Sequence, residues 1–562
     1  MADRSLTAAE PEARTATLEQ TYEHADTREL VELVNAAAEL LRAKGKAAFD
    51  AFRVTGSRWR KGEMYIFVLD LDGNMLVHPD PALEGKNQLD LKDINGKGII
   101  RGLLGAATTQ PEKAGGWYHY QWPVPGGLLP RWKSSYVRLV TPAAGESYVV
   151  GCGLYNDRME RAFVVDLVTS AVHELDTFGV AAPALFRDPK GPFVVKDAYI
   201  FVIGMDGTEL VNPAFPTLEG RSLLDLKDTQ GKLLVREMIQ VAETRGSGWV
   251  DYMWPRPGES VSTRKSTYVS RGTFGGKPVV VACGVYLADA PREPAVSGKL
   301  TAAQLMSLVR DAAAVLEEKG AGAYAEFRQK GSRWFGGDTY VFVWTMQGRR
   351  VFHGADPSLE GKDASGLTDV LGRAIGRMIL EAAASPSGEG WVHYMYPEPE
   401  SIFPAWKSTF VKRVNFPSGE PHIVGCGIYN LQTDRTLIED VVGRAAALIG
   451  EHGKEAFSRL RDRTGPFVFM DTYVFVHTLD GTELVNPAQP TLEGRNLLDL
   501  RDLQGKAVIQ EQVAIAEGDG SGWLDCYWYK PGDNTPARKL TYVRKAQFGK
   551  ETYVVGSGIY TE

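Results

Sequence analysis

The chain has 562 residues, of which 44% are hydrophobic and 24% charged, and its net charge is −7. This composition excludes a disordered, collagen-like or fibrous protein, and so mild a charge argues against a nucleic-acid coat or a polybasic membrane binder. Four widely spaced cysteines, Cys152, Cys283, Cys426 and Cys526, form no Cys-x-x-Cys and argue against a disulfide scaffold or a zinc ribbon.

Residues 1–26 contain no apolar segment of the secretory kind and are expected to form a flexible tail. No later run approaches 18 apolar residues, so a soluble, cytoplasmic chain is expected. Leu30, Val31, Val34, Ala37, Ala38 and Leu41 follow i, i+3, i+4, i+7 spacing and predict an amphipathic helix of about 25 residues. Two β-rich runs, from Tyr65 and from Met75, flank Asp72-Gly73 and predict a hairpin. A short helix is expected over Gly98–Ala107. Strands follow at Trp117–Trp122, Lys133–Leu139 and Tyr148–Tyr155.

This pattern occurs four times. Leu-Glu-Gly recurs at residues 83, 218, 359 and 492, and Gly-Trp ends at Trp117, Trp249, Trp391 and Trp523. Each repeat closes on a Gly-x-Tyr, at Tyr155, Tyr286, Tyr429 and Tyr560. Trp117 to Trp391 and Trp249 to Trp523 are both 274 residues, so a pair of units was duplicated whole. The later long helices are expected to start near Arg161, Ala302 and Arg435. A unit of this length can bury its own core. Four α+β domains are therefore expected at 27–158, 159–289, 300–432 and 433–562, with a Pro- and Ala-rich linker at 290–299.

The ordered run Tyr-x-Phe-Val, Asp-Gly, His/Asn-Pro, Leu-Glu-Gly, Gly-Trp, Trp-Pro, Lys-Ser-x-Tyr-Val and Gly-x-Gly-x-Tyr resembles the single-Cache sensor domain, four times over nearly the whole chain. The resemblance implies four PAS-like domains, each a long N-terminal helix packed on an antiparallel sheet. It also implies the small-molecule-sensing part of a receptor, with short organic acids as the ligand class. Cache domains usually sit between transmembrane helices and ahead of a kinase, cyclase or methyl-accepting segment. Neither is visible here, so a sensor without its own catalytic output is expected. Its signalling partner would then be another protein. The alternative is an interaction scaffold whose pockets have diverged.

Ligand contact is expected from Lys133, Lys265, Lys407 and Lys539, each a compact charge on a strand beside aromatic residues. The Lys-x-x-Tyr pattern adds Tyr136, Tyr268 and Tyr542, with Phe410 in the third repeat. The short helix offers Arg101, Arg236 and Arg377 as carboxylate clamps, with Gln510 in the fourth. Trp117, Trp249, Trp391 and Trp523 are candidate pocket walls, with Trp117 and Trp122 facing opposite sides of their strand. His78 and His353 are expected to be polar residues at a strand end rather than metal ligands. The Asp-x-x-Asp pairs at 90 and 93, 225 and 228, and 499 and 502 are expected to cap the short helix. No nucleophile, acid–base pair, phosphate loop or dinucleotide fingerprint is present, so neither an enzyme nor a cofactor is expected.

Overall fold

The computed structural model describes residues 21–561, except 111–112, 114, 125–128, 144, 156–157, 260–261, 288–299, 338, 398–403 and 533–535. The expected linker at 290–299 and most of the expected tail lie outside the described residues.

A long helix, a hairpin, a short helix and a three-stranded meander follow one another four times. In the first repeat these are α1 (Ala25–Lys44), β1 (Phe67–Asp70), β2 (Met75–Val77), α2 (Ile99–Thr108), β3 (Gly116–Pro123), β4 (Pro130–Val140) and β5 (Tyr148–Tyr155). The second has α3 (Arg161–Phe178), β6 (Phe201–Gly204), β7 (Glu209–Val211), α4 (Leu234–Arg245), β8 (Ser247–Pro255), β9 (Ser262–Phe274) and β10 (Lys277–Tyr286). The third has α5 (Ala302–Lys319), β11 (Thr339–Thr345), β12 (Arg350–His353), α6 (Ile375–Ala384), β13 (Glu389–Pro397), β14 (Pro404–Asn415) and β15 (Pro421–Tyr429). The fourth has α7 (Arg435–His452), β16 (Phe475–Thr478), β17 (Glu483–Val485), α8 (Val508–Glu517), β18 (Ser521–Tyr529), β19 (Pro536–Phe548) and β20 (Glu551–Thr561).

Each sheet is antiparallel with one strand order, β2-β1-β5-β4-β3 in the first repeat, so the hairpin lies beside the last strand. The third sheet gains a short strand, Phe335–Gly336, on β11. Strand alternation divides each core in two. Leu30, Val34, Ala38 and Leu41 of α1 pack with Val68, Val150 and Cys152 on one face. Ile99, Ile100 and Leu103 of α2 pack with Phe67, Leu69 and Val149 on the other.

The long helix is shorter than its periodicity suggests. α1 stops after 20 residues at Gly45, whose φ of 55° puts it in the left-handed region, and a 3-10 turn and a short helical segment, Phe49–Arg53, continue. Gly179, Gly320 and Gly453 end the other three long helices in the same way. At the N-termini, Thr301 forms a capping box with Gln304, and the Asp434 carboxylate accepts the Leu437 N–H.

The aspartate pairs do not cap the short helices, which have no side-chain cap. The second aspartate instead ties the loop before the short helix to the first meander strand. Asp228 accepts the N–H groups of Gln230, Lys232 and Met253. Asp93, Asp369 and Asp502 make the same three-way tie in their repeats.

The chain divides into two compact units, residues 1–257 with 262–290, and residues 258–261 with 291–562. Within each unit the domains are not self-contained. Phe163 of α3 is buried in the core of the first domain, 4.6 Å from the Trp117 ring. Leu437 of α7 lies in the core of the third. Tyr22, expected in the tail, packs edge-on against Trp117. Among the described residues no helix is long and apolar enough to cross a membrane.

Candidate functional site

On β4, Lys133 and Ser135 face the α2 side, while Ser134 and Tyr136 face α1. Lys133 is 1% exposed and its ammonium lies 4.0 Å from the Tyr65 ring centre and 5.0 Å from that of Tyr155. It donates to the Tyr65 hydroxyl at 2.6 Å. The arrangement repeats. Lys265 stands over Tyr199 and Tyr286, at 4.2 and 4.8 Å. Lys407 stands over Tyr340 and Tyr429, at 4.0 and 4.5 Å. Lys539 stands over Tyr473 and Tyr560, at 4.2 and 4.9 Å. Ring faces attract a desolvated cation but do not neutralise it. Among the described residues no carboxylate lies within ion-pair distance of Lys133, Lys265 or Lys539. Burial lowers the Lys133 pKa, and lowers that of Lys265 to about 8.

The closing Gly-x-Gly-x-Tyr builds this chamber. A Cβ on Gly153 would sit 2.4 Å from Lys133 Cε, so only glycine lets the lysine stem cross the last strand. Gly284, Gly427 and Gly558 stand against Lys265, Lys407 and Lys539 in the same way, at 2.7, 2.7 and 2.8 Å. The closing tyrosine donates its hydroxyl to a carbonyl where the first meander strand ends: Tyr155 to Pro123 at 2.6 Å and Tyr286 to Pro255 at 2.7 Å.

The hairpin strand gives the chambers different polarity. In the first and third repeats it ends in His78 and His353, which burial and the nearby lysine hold at a pKa of about 4. Each accepts a backbone N–H at Nδ1, from Asp80 and Asp356, which leaves Nε2 as the protonated nitrogen. The third chamber adds a buried Arg350. In the second and fourth repeats the same strand carries Glu209 and Glu483, which burial raises to about 8. Each accepts from an asparagine amide, Asn212 at 2.8 Å and Asn486 at 2.9 Å. The voids left are small. One of about 20 Å³ is lined by Glu483, Asn486 and Lys539, and one of about 10 Å³ by Tyr199, Glu209 and Asn212. Each has room for about one water molecule.

The other expected contacts lie elsewhere. Tyr136, Tyr268 and Tyr542 are three residues from their lysines, so strand alternation turns them to the long-helix face. There they meet Trp117, Trp249 and Trp523 at 5.2, 5.3 and 5.2 Å, and Phe410 meets Trp391 at 5.2 Å. These tryptophans therefore do not share a chamber with the lysines, while Trp122, on the α2 side, faces the opposite way from Trp117 as expected. Arg101, Arg236 and Arg377 are exposed and paired with Asp90, Asp225 and Glu381, at 2.7, 2.6 and 3.9 Å. Gln510 reaches Asp499 at 3.5 Å. Arg101 and Trp117 line a separate cavity of about 360 Å³ between the first two domains. The cage tyrosines were missed, although each opens or closes a motif repeated in all four units. The cysteines are buried, and burial raises the Cys152 and Cys283 thiols to about 11 and 12. Among the described residues no cluster of three or more His, Cys, Asp or Glu side chains could hold a metal ion.

The Cache domain model matches residues 51–160, 192–294 and 451–562, and the Single Cache domain 2 model matches 301–431. The chain is 33% identical over 92 residues to the methyl-accepting chemotaxis protein McpP of Pseudomonas putida, which is 16% of each protein. It is 39% identical over 92 residues to the sensor histidine kinase MctS of Rhizobium johnstonii, 16% of this chain and 19% of that one. The matched stretch thus spans less than a fifth of either relative. A solved Cache chemosensory domain, described for carboxylic acid recognition, is 26% identical and aligns with 22% of this chain and 89% of its own, at a TM-score of 0.20. The Cache domain matches alone cover more than half of the residues, and the chain belongs to the Cache family, with its domains in tandem.

Proposed function

We propose that the chain is a small-molecule sensor whose Cache domains each hold a small carboxylate against a buried lysine, and that it signals through a partner protein. One observation carries this reading. Lys133, Lys265 and Lys539 are buried against aromatic rings with no carboxylate in ion-pair distance among the described residues. A buried cation is costly unless an anion meets it, and a ligand carboxylate supplies that anion. That a chemotaxis receptor and a sensor kinase carry a related stretch supports a sensing role. The chambers differ. With Arg350 and Lys407 both buried, the third favours the most acidic ligand. The second and fourth present a protonated glutamate and an asparagine amide, which suits a ligand with a further polar group.

The voids beside the second and fourth lysines hold no more than a water molecule. Occupation by a carboxylate therefore displaces the surrounding side chains and repacks the short helix on the sheet. A ligand shifts a conformational equilibrium only through such differential binding. The tightness of these voids is also the observation that favours the rival reading, a scaffold with closed pockets. Calorimetry and thermal unfolding of the full chain with acetate, propionate, pyruvate and amino acids separate the two. A ligand at 100 times its Kd adds about 2.7 kcal/mol to the domain that binds it. Sensing predicts saturable binding that Lys133→Met, Lys265→Met or Lys539→Met removes one site at a time. If no carboxylate binds, the scaffold reading replaces this one.

A further inference from the structure

The cavity of about 360 Å³ in the first unit has no part in the lysine chambers. It lies between α2 and β3 of the first domain and α3 of the second. Its size is that of a small-molecule pocket rather than of a packing defect. Trp117, Tyr118 and Phe193 contribute aromatic rings to its lining, and Gly105 of α2 leaves space on one side, while the Tyr118 ring fills the place beside Gly102.

Its polar groups are placed for a neutral guest. Asp166 accepts from Lys113 at 2.9 Å, and the same ammonium reaches the Ser170 hydroxyl at 3.3 Å. Arg101 is paired with Asp90. Glu174 and Lys190 add opposite charges. His119 is 3% exposed, and burial holds its pKa at about 3, so the ring is neutral. Nδ1 is engaged with the Ser134 hydroxyl at 2.9 Å, and Nε2, which has no hydrogen-bond partner among the described residues, is closed off within the packing.

The second unit carries larger side chains at the corresponding positions. By repeat position, Ser170 corresponds to Arg444, Gly105 to Glu381, Gly102 to Met378 and Val195 to Phe469. Arg444 pairs with Asp440 at 2.7 Å, and Glu381 with Arg459 at 3.4 Å. His393, the counterpart of His119, also lacks a partner at Nε2 among the described residues, and the Phe469 ring stacks on it at 3.8 Å. Larger side chains stand at each of these positions, and the first unit alone keeps small ones.

We propose that this cavity between the first and second Cache domains is a second ligand site, which takes a neutral aromatic molecule of one or two rings. The guest ring packs against the aromatic lining at the β3 edge, where Tyr118 and Phe193 meet the cavity. A guest here touches both domains of the pair and couples them.

The test uses the full chain with indole and quinoline as neutral aromatic probes, at neutral pH, by calorimetry and hydrogen exchange. Saturable binding of one equivalent is expected, with slowed exchange in residues 99–110 and 164–174. Ser170→Met and Gly105→Leu place a side chain in the cavity from opposite walls, and each should weaken binding at least tenfold. Lys133→Met should leave it unchanged, which separates this site from the lysine chambers. The proposal is overturned if neither probe binds saturably, if protection falls only outside those segments, or if binding survives both variants when folded.

Discussion

Each lysine chamber is a cation held by π faces, and its behaviour with pH follows from the groups around it. The Lys265 pKa is lowered to about 8, so the chamber is cationic below that pH and loses its charge above it. Affinity for a carboxylate in the second domain should therefore hold steady from just above the ligand's own pKa to about pH 8 and fall as pH rises further, which calorimetry at several pH values measures. Glu209 and Glu483 act on stability in a different window. Their folded pKa, about 8, exceeds the unfolded value of about 4.5. The folded state thus holds protons that the unfolded state releases, and stability falls as pH rises from about 4.5 to about 8. Glu209→Gln and Glu483→Gln keep an oxygen for the asparagine amide and remove the ionisation. Each should add up to a few kcal/mol at pH 8 and almost nothing at pH 4.5, in denaturant unfolding at the two pH values. Gly153 and Gly284 set the geometry of the stem. Gly153→Ala pushes a methyl into Lys133 Cε and should weaken a carboxylate at least tenfold in the first domain while the unit stays folded.

Among the elements, the short helix covers the chamber, and its position depends on the aspartate tie before it. Asp228 accepts three backbone N–H groups that span the loop and β8. Asp228→Ala leaves them without an acceptor and should cost about 2–3 kcal/mol, with faster exchange at the Met253 amide as its local sign. The sequence pattern conveys most of this architecture. The long helices after the first begin at Arg161, Ala302 and Arg435 as their apolar spacing indicates, and the hairpins follow Asp-Gly or Gln-Gly. The lysines stand out because they recur at one place in the motif. Which partners each lysine meets is less visible, because it depends on segments far apart in sequence: Tyr65, just before β1, meets Lys133 of β4 across 68 residues. One error was avoidable, since Lys133 and Tyr136 are an odd number of positions apart and face opposite sides of any strand. The inter-domain cavity had no local signal, as its walls come from α2, β3 and α3, and only packing brings them together.

At the scale of the molecule, the duplicated pair rather than the single repeat is the compact unit. The hydrophobic core of the first domain includes Phe163, which belongs to the helix of the second. Thr27 at the start of α1 donates to Glu160, just before α3, at 2.6 Å, and Lys97 reaches across to the Val194 carbonyl at 3.2 Å. The second unit repeats these links with Leu437 in the third domain's core and with Arg373, which donates to the Gly465 carbonyl at 3.0 Å. The corresponding lysines of the second and fourth repeats, Lys232 and Lys506, stay within their own domain, on the Asp251 and Asp525 carbonyls. The docking residue therefore alternates with the pairing. Phe163→Ala deletes a fully buried ring and should cost about 3–5 kcal/mol. Independent domains would confine the effect to the second, which supplies the residue. A shared core predicts that exchange of the buried α1 amides accelerates as much as that of α3, and that the first unit still unfolds in one transition. Faster exchange in α3 alone, with α1 unchanged, would show that the two domains fold separately.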